Sequence, residues 1–272
     1  RVEYLEYPSD PRLQGNPYVI NFIMQQYEYG GYAKAYGFGT FLNGHQEQII
    51  GNVRFQYKRM TYDLMGSAYG NGHSHSGQDM TETFRLPQDD GTMEQFERVS
   101  ELKSSKRHRN NYYLIFKATY NSDKIQASTL INSNLDRQPN TVQNGIVRYS
   151  NNKYPTSEYN STINNFSKFI SYNGYYFFAL PSSNSLTFTP TYSLSHTDQN
   201  SDYTETGYSS ILNSATDNTN YLSGNLKFKH DFGKFGSLLG FVKGSYQYNR
   251  TSYSGSASGL DRAKSLRISF GA

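Results

Sequence analysis

The sequence predicts an all-β protein whose strands form part of an antiparallel transmembrane β-barrel. Two observations indicate this fold class: a polar composition that is nevertheless rich in aromatic residues, and apolar residues that recur at every second position of several segments. A third is the order of short and long connections between these segments, which matches the two rims of such a barrel.

The composition suits a wall that is apolar on one side and wet on the other. Only 35% of the 272 residues are hydrophobic and the mean hydropathy is −0.76, which is lean for a soluble core of that size. Aromatic residues nevertheless reach 16%, whereas disordered chains are poor in them. A barrel in lipid requires this combination, because aromatic girdles border its apolar band and its lumen is polar.

The absence of cysteine excludes disulfides, thiolate metal sites and cysteine nucleophiles. The net charge of +4 is modest and scattered, so nucleic acid is not expected as a partner. No residue pattern calls for a cofactor, and none is predicted.

The apolar periodicity is that of strands. Residues 186–197 read LTFTPTYSLSHT, in which every second residue is Thr or Ser; residues 48–58 (QIIGNVRFQYK) and 221–232 (YLSGNLKFKHDF) alternate similarly. Segments of about ten residues are long enough to cross a bilayer as tilted strands. This template predicts about twelve strands, at residues 32–42, 47–57, 60–69, 80–86, 94–103, 110–120, 125–133, 168–180, 186–197, 221–232, 238–249 and 263–270.

The connections between these strands differ in length. Short turns are predicted at residues 58–59, 121–124, 182–185 and 233–237, and long polar loops at residues 70–79, 134–167, 198–220 and 250–262. Following the strands up and down places these short turns on one rim and these long loops on the other, as in barrels with periplasmic turns and extracellular loops. Two further short turns, at residues 43–46 and 104–109, depart from this order.

Residues 1–31 form a separate unit, with a short strand at 1–7, a turn-rich link at 8–17 and a second strand at 18–26. The spacing of Arg1-Val2-Glu3, Pro8-Ser9, Gly15 and Val19-Ile20-Asn21 resembles the end of the plug domain in TonB-dependent outer-membrane receptors. The plug-motif residues are Glu3, Pro8, Gly15, Val19, Ile20 and Asn21.

The chain departs from this pattern in having Tyr7 and Tyr18 where the family has glycine. The Gly30-Gly31-Tyr32 entry into strands rich in Tyr and Asn is similar to the Bacteroidetes branch of the family.

The resemblance implies active, TonB-coupled import of a scarce ligand across the bacterial outer membrane, without covalent chemistry. On this interpretation, residues 1–31 are the end of the plug domain. Residues 32–272 contain about twelve strands, whereas the complete barrel of such a receptor has about 22. We therefore expect the chain to be part of a longer receptor, because an open sheet in lipid leaves backbone groups unsatisfied.

The partners implied are TonB, through a segment missing from this chain, together with outer-membrane lipid and lipopolysaccharide. A surface lipoprotein lid and the ligand class (glycan, peptide, siderophore or cobalamin) stay open. One alternative function is a non-transporting barrel that serves as a surface binding or adhesion scaffold. Another is a soluble β-sandwich or solenoid surface protein.

Aromatic residues in the predicted long loops are the candidate ligand-binding residues, because flat rings stack on sugars and other planar ligands. Packing of the loops against each other is the equal alternative. These residues are Tyr149, Tyr154, Tyr159, Tyr203 and Tyr208.

Other clusters are weaker candidates. His73 and His75 are spaced like no standard metal motif, and a Gly/Ser-rich loop explains them without a metal. The basic run at residues 103–109 (KSSKRHR) is predicted as a solvated hairpin tip that could also contact lipopolysaccharide phosphates. His196 and His230 lie at strand ends, but no serine has the surroundings of a nucleophile, so no enzyme is predicted.

Overall fold

The computed structural model describes residues 2–6, 18–22, 28–42, 44–74, 77–151, 153–256 and 262–271. Within these ranges it consists of strands and one turn of 3₁₀ helix at Gly233–Phe235. No helix in this part of the chain is long and apolar enough to cross a membrane. The strands are β1 (Val2–Glu6), β2 (Tyr18–Phe22), β3 (Tyr29–Thr40), β4 (His45–Tyr57), β5 (Met60–Ser74), β6 (Met80–Pro87), β7 (Met93–Asn121), β8 (Ile125–Tyr149), β9 (Ser157–Leu180), β10 (Asn184–Glu205), β11 (Ile211–Asp231), β12 (Ser237–Gly255) and β13 (Arg262–Gly271).

Eleven of these strands form one sheet in which every pairing is antiparallel. The order is β13-β12-β11-β10-β9-β8-β7-β5-β4-β3, and β6 pairs with the far part of β7. Strands β1 and β2 pair with each other in a two-stranded sheet of their own. The predicted fold class, an all-β antiparallel barrel portion, is confirmed.

One face of the large sheet carries a continuous belt of exposed apolar side chains, which we call the apolar belt. A single row of cross-strand partners crosses the sheet from β4 to β13 and contains only large apolar or tyrosine side chains. The row runs Val53, Leu64, Phe116, Ile131, Tyr172, Tyr192, Leu222, Tyr246 and Ile268. A soluble protein buries such a row, whereas Val53 is 47% and Ile268 55% exposed here.

The opposite face, which we call the inner face, is polar at the same height. The adjoining row, in which Leu130 is the one apolar residue, runs Arg54, Asp63, Lys117, Leu130, Asn173, Thr191, Ser223, Ser245 and Ser269. Its members bond to each other across strands: Arg54 Nε lies 2.5 Å from Asp63 Oδ1, and the Ser245 and Ser269 hydroxyls are 2.6 Å apart. The predicted alternation of apolar and polar faces is confirmed.

The connections at one rim, which we call the turn end, are short. They join β4 to β5, β7 to β8, β9 to β10 and β11 to β12, as predicted. The opposite rim, the tip end, lies far beyond the apolar belt, because β7 has 29 residues and β8 has 25. About ten residues suffice to cross a bilayer, so these strands continue well past it.

The predicted long loops are therefore wrong over most of their length. Strands β8 and β9 stay paired up to Val147 and Ser157, and β10 and β11 up to Tyr203 and Ile211. The predicted loops at residues 70–79 and 250–262 likewise begin as the last part of β5 and of β12. These segments are rich in Asn, Ser and Thr, and their apolar side chains, such as Leu135, Val147 and Ile163, do not recur at every second position. The period-two signal disappears there although the hydrogen-bonded ladder continues.

The basic run at residues 103–109 is not a hairpin tip. The predicted strands 94–103 and 110–120, and the turn predicted at residues 104–109 between them, form one continuous strand, β7. Two register shifts interrupt its pairing with β8, between Leu102 and Ser104 and between Lys106 and Asn110. Lys103 is the extra residue of a bulge in β7, and an extra residue at positions 139–140 makes a second bulge in β8. These bulges change the alternation that sequence reading depends on.

Candidate functional site at the tip end

Beyond the apolar belt, β6 to β10 and the connection between β8 and β9 bring together charged and aromatic side chains on the inner face. We call this group the tip cluster. It contains Glu82, Phe84, Phe96, Arg98, Tyr149, Tyr154, Ser157, Tyr159, Tyr203 and Glu205. The strand register explains why these side chains lie together. Arg98 is the cross-strand partner of both Glu82 and Tyr149, and Glu205 is the partner of Tyr159.

Glu205 is the centre of the polar part and is only 8% exposed. Its Oε1 accepts hydrogen bonds from the Ser157 hydroxyl at 2.5 Å and from the Tyr149 hydroxyl at 3.0 Å. Its Oε2 accepts one from the Tyr203 hydroxyl at 2.9 Å. A buried carboxylate is tolerated only when such partners replace water.

Arg98 joins this carboxylate to a second one. Its guanidinium donates to Glu82 Oε2 at 2.7 Å and to the Tyr203 hydroxyl, and it lies 3.5 Å from Glu205 Oε2. It also lies over the Tyr203 ring, 5.6 Å from the ring centroid. The result is a network of two carboxylates, one guanidinium and two phenols.

The network shifts the pKa of Glu205, Tyr203 and Arg98. Burial alone raises the pKa of Glu205, but hydrogen bonds from Ser157, Tyr203 and Tyr149 bring it below its usual value. Burial, followed by the hydrogen bond to Glu205, raises the pKa of the Tyr203 hydroxyl. Burial alone lowers the pKa of Arg98, but its bond to Glu82 and the nearby tyrosines raise it above the ordinary value. Glu205 and Arg98 are therefore both charged at neutral pH.

Aromatic rings form the other part of the cluster. Phe96 is 6% exposed, stacks on Phe84 with ring centroids 5.5 Å apart, and contacts the Tyr154 ring at 5.7 Å. The Tyr149 and Tyr154 rings lie 5.1 Å apart, centroid to centroid. Three apolar side chains of β6 on the same face, Met80, Phe84 and Leu86, remain between 36% and 47% exposed. The arrangement is an aromatic platform beside a charged network.

Four of the five predicted ligand-binding tyrosines thus lie in one cluster. Tyr149 and Tyr154 contact each other, and Tyr159 stacks on Tyr203 with ring centroids 6.0 Å apart. Tyr208 lies apart, in the connection after β10, and is 44% exposed. Their role in ligand binding stays a prediction.

Sequence reading missed Arg98, Glu205 and Phe96. Arg98 and Phe96 lie where β7 alternates poorly, and Glu205 lies in a segment predicted as a loop. Only the extended pairing of β7 to β10 brings them together, and no local pattern marks that pairing.

The other candidate residues have individual partners. His73 Nε2 lies 3.1 Å from Asn71 Nδ2, and His75 lies outside the described residues. His196 bonds to Asp198 at 2.8 Å and to Asn218 at 2.7 Å, and His230 bonds to Asn184 at 2.7 Å. Among the residues described, no group of three or more His, Cys, Asp or Glu side chains is placed to hold a metal ion.

The plug motif is described in part. Glu3 lies in β1 and Val19, Ile20 and Asn21 in β2, with Glu3 opposite Asn21 in the ladder. Pro8 and Gly15 lie outside the described residues.

The apolar belt, the antiparallel ladder and the polar inner face together define an outer-membrane type of β-barrel wall. No known protein family matches the chain, and a search of curated proteins finds no match either. The crystal structure of the ferric yersiniabactin uptake receptor FyuA from Yersinia pestis is similar over 99% of this chain and 47% of its own, with 12% identity and a TM-score of 0.49. The outer membrane protease OmpT from Escherichia coli is similar over 89% of this chain and 90% of its own, with 13% identity and a TM-score of 0.31. The chain thus spans about half the length of the first of these proteins.

Proposed function

We propose that this protein is a bacterial outer-membrane receptor that takes up a scarce ligand by TonB-coupled active transport. The observation that carries the proposal is a membrane wall whose strands continue far beyond the apolar belt and gather aromatic and charged side chains on their inner face. A ligand held there lies on the side of the wall that faces the lumen.

The resemblance of residues 1–31 to the end of a plug domain supports the coupling to TonB. Strands β1 and β2 pair with each other, apart from the ladder of the large sheet, as expected for a unit distinct from the wall. Energy coupling then acts through this unit and through the TonB-contacting segment expected upstream.

The test compares two deletions in the source bacterium, one of the full-length gene and one of tonB. Both strains grow with a glycan, a peptide, a ferric siderophore or cobalamin as the limiting nutrient. We expect both deletions to abolish growth on the same one of these classes, and the full-length gene to restore growth only when tonB is present.

A different result would contradict the proposal. If the gene deletion removes surface binding or adhesion while growth on every limiting nutrient is unaffected, the protein is a binding scaffold and not a transporter.

A complemented strain with Arg98→Ala tests the site: we expect its growth to need a higher nutrient concentration. The matched control is Arg148→Ala, which removes a guanidinium that is 55% exposed and paired with Glu101 on the other face.

A further inference from the structure

A second candidate site lies on the outer face, just beyond the apolar belt. His45 of β4 and His108 of β7 are both cross-strand partners of Gly72 in β5, so their side chains flank a residue that has none. Their ring centroids are 6.1 Å apart. Toward the turn end, Asn110 follows His108 on this face, and then Tyr112, an exposed residue of the belt.

Glycine at position 72 lets the His45 ring lie over the backbone of β5, with the His108 ring next to it. A Cβ at Gly72 would clash with His45 Cε1, and it would lie 2.8 Å from His45 Nδ1 and 3.0 Å from His108 Nδ1. Divalent zinc binds imidazole nitrogen at about 2.0 to 2.1 Å, so both Nδ1 atoms reach one ion when the His45 ring turns to direct Nδ1, and not Cε1, toward His108. We propose that His45 and His108 bind a first-row divalent metal ion above Gly72.

Two charged side chains near the histidines, Glu47 and Lys106, affect how strongly such a site binds a metal ion. Glu47 lies on the same face of β4, and its Oε1 is 3.1 Å from where a Cβ at Gly70 would lie, one step along the same glycine column. Its negative charge lies near the two imidazoles without joining them as a third ligand, and water completes the shell. Lys106 also lines the cavity of about 440 Å³ around His45 and His108, and its ammonium opposes a cation there.

The site is independent of the proposed uptake function, because it lies on the outer face and the tip cluster lies on the inner face. Its expected occupant is a free divalent ion, and imidazole pairs favour Cu²⁺ most among the first-row ions. A metal held there would tie β4 to β7 across β5.

The experiment uses the full-length protein in detergent micelles, purified with a tag that contains no histidine. Cu²⁺ is titrated, and electron paramagnetic resonance reports the number of coordinated imidazoles. We expect one ion bound through two imidazole nitrogens, and a loss of affinity of at least about tenfold in His45→Ala and in His108→Ala. Gly72→Ala displaces the His45 ring from its place over the backbone and should weaken binding in the same way.

Two further variants distinguish a metal site from an anion site and from metal binding by any histidine of the sheet. Lys106→Gln should strengthen Cu²⁺ binding, because it removes a nearby positive charge. His196→Ala, which removes one imidazole from the same face of β10, should leave the binding unchanged. The proposal is overturned if His45→Ala and His108→Ala bind Cu²⁺ as the unaltered protein does. It is also overturned if Lys106→Gln weakens binding, or if inorganic phosphate binds there in preference to Cu²⁺.

Discussion

At the residue scale, Glu205 illustrates how the tip cluster tolerates a buried charge. Three hydroxyl groups and the Arg98 guanidinium surround its carboxylate and take the place of water. When one member of such a group is removed, the others remain buried without a partner. Breaking a buried ion pair in this way costs about 3 to 5 kcal/mol.

We therefore expect Glu205→Ala to loosen the tips of β7 to β10. Hydrogen exchange of the backbone amides in residues 157–161 and 201–205 should become at least about tenfold faster, because local opening needs less free energy. The matched control is Glu158→Ala in β9, whose carboxylate is 78% exposed and lies 3.6 Å from Lys103 Nζ. That exposed pair contributes about 1 kcal/mol at most, so the control should exchange almost as the unaltered protein does.

The same carboxylate predicts a pH dependence. The pKa of Glu205 in the folded protein lies below its ordinary value. The stabilisation that its charge gives the strand tips is therefore fully present above the pKa of the unfolded state, about 4.3. This stabilisation is lost as the pH falls from the unfolded pKa through the lower pKa of the folded state. The ratio of exchange rates between Glu205→Gln and the unaltered protein should therefore be constant from pH 7 to about pH 5 and approach one only as the pH falls below the folded pKa. A ratio that does not change with pH would mean that the charge of Glu205 does not stabilise the tips.

At the element scale, the bulges of β7 and β8 decide which face each tip residue occupies. Because strand side chains alternate, a shift of one residue moves a whole segment to the other face. Lys103 in β7 supplies the shift that brings Arg98 to the inner face, where Glu205 lies.

Deleting Lys103 should therefore turn Arg98 and Phe96 outward and dissolve the tip cluster. We expect faster exchange in residues 93–102 and 201–205, at least equal to the effect of Glu205→Ala. Deleting Ser209, in the connection between β10 and β11, is the control and should leave exchange in residues 93–102 unchanged. If the deletion of Lys103 has no more effect than this control, the bulge does not set the register.

The full length of the strands could not be predicted from the sequence. Within the apolar belt, one side chain in two faces lipid, so segments such as residues 186–197 have a strong period of two and were predicted correctly. Beyond the belt neither face of the strands contacts lipid, and Asn-, Ser- and Thr-rich strands have the composition of loops. Tyrosine enrichment still indicated four residues of the tip cluster, but Arg98 and Glu205 needed the register.

At the scale of the whole molecule, a charged side chain costs more free energy on the apolar belt, which faces lipid, than on the polar inner face. Phe188 lies on the belt between Tyr176 and Leu226, whereas Thr187 lies on the inner face between Phe177 and Lys227. A charge facing lipid near the bilayer midplane costs about 2 to 4 kcal/mol. Phe188→Arg should lower the free energy of unfolding in phospholipid bilayers by about this amount, and Thr187→Arg by far less. Equal effects of the two substitutions would contradict the assignment of faces.

The most direct test of the account is a nitroxide scan along β10, placing one label at a time at residues 186–205 of the protein in lipid bilayers. These 272 residues contain no cysteine, so single cysteines introduced for labelling have no background within them. We predict that accessibility to oxygen, which partitions into lipid, peaks at even positions from 186 to 194 and that accessibility to a water-soluble nickel complex peaks at the odd ones. Beyond residue 196 the oxygen peaks should disappear while the labels remain as ordered as in a strand. Low oxygen accessibility at Leu186, Phe188 and Tyr192 would contradict a membrane-spanning wall.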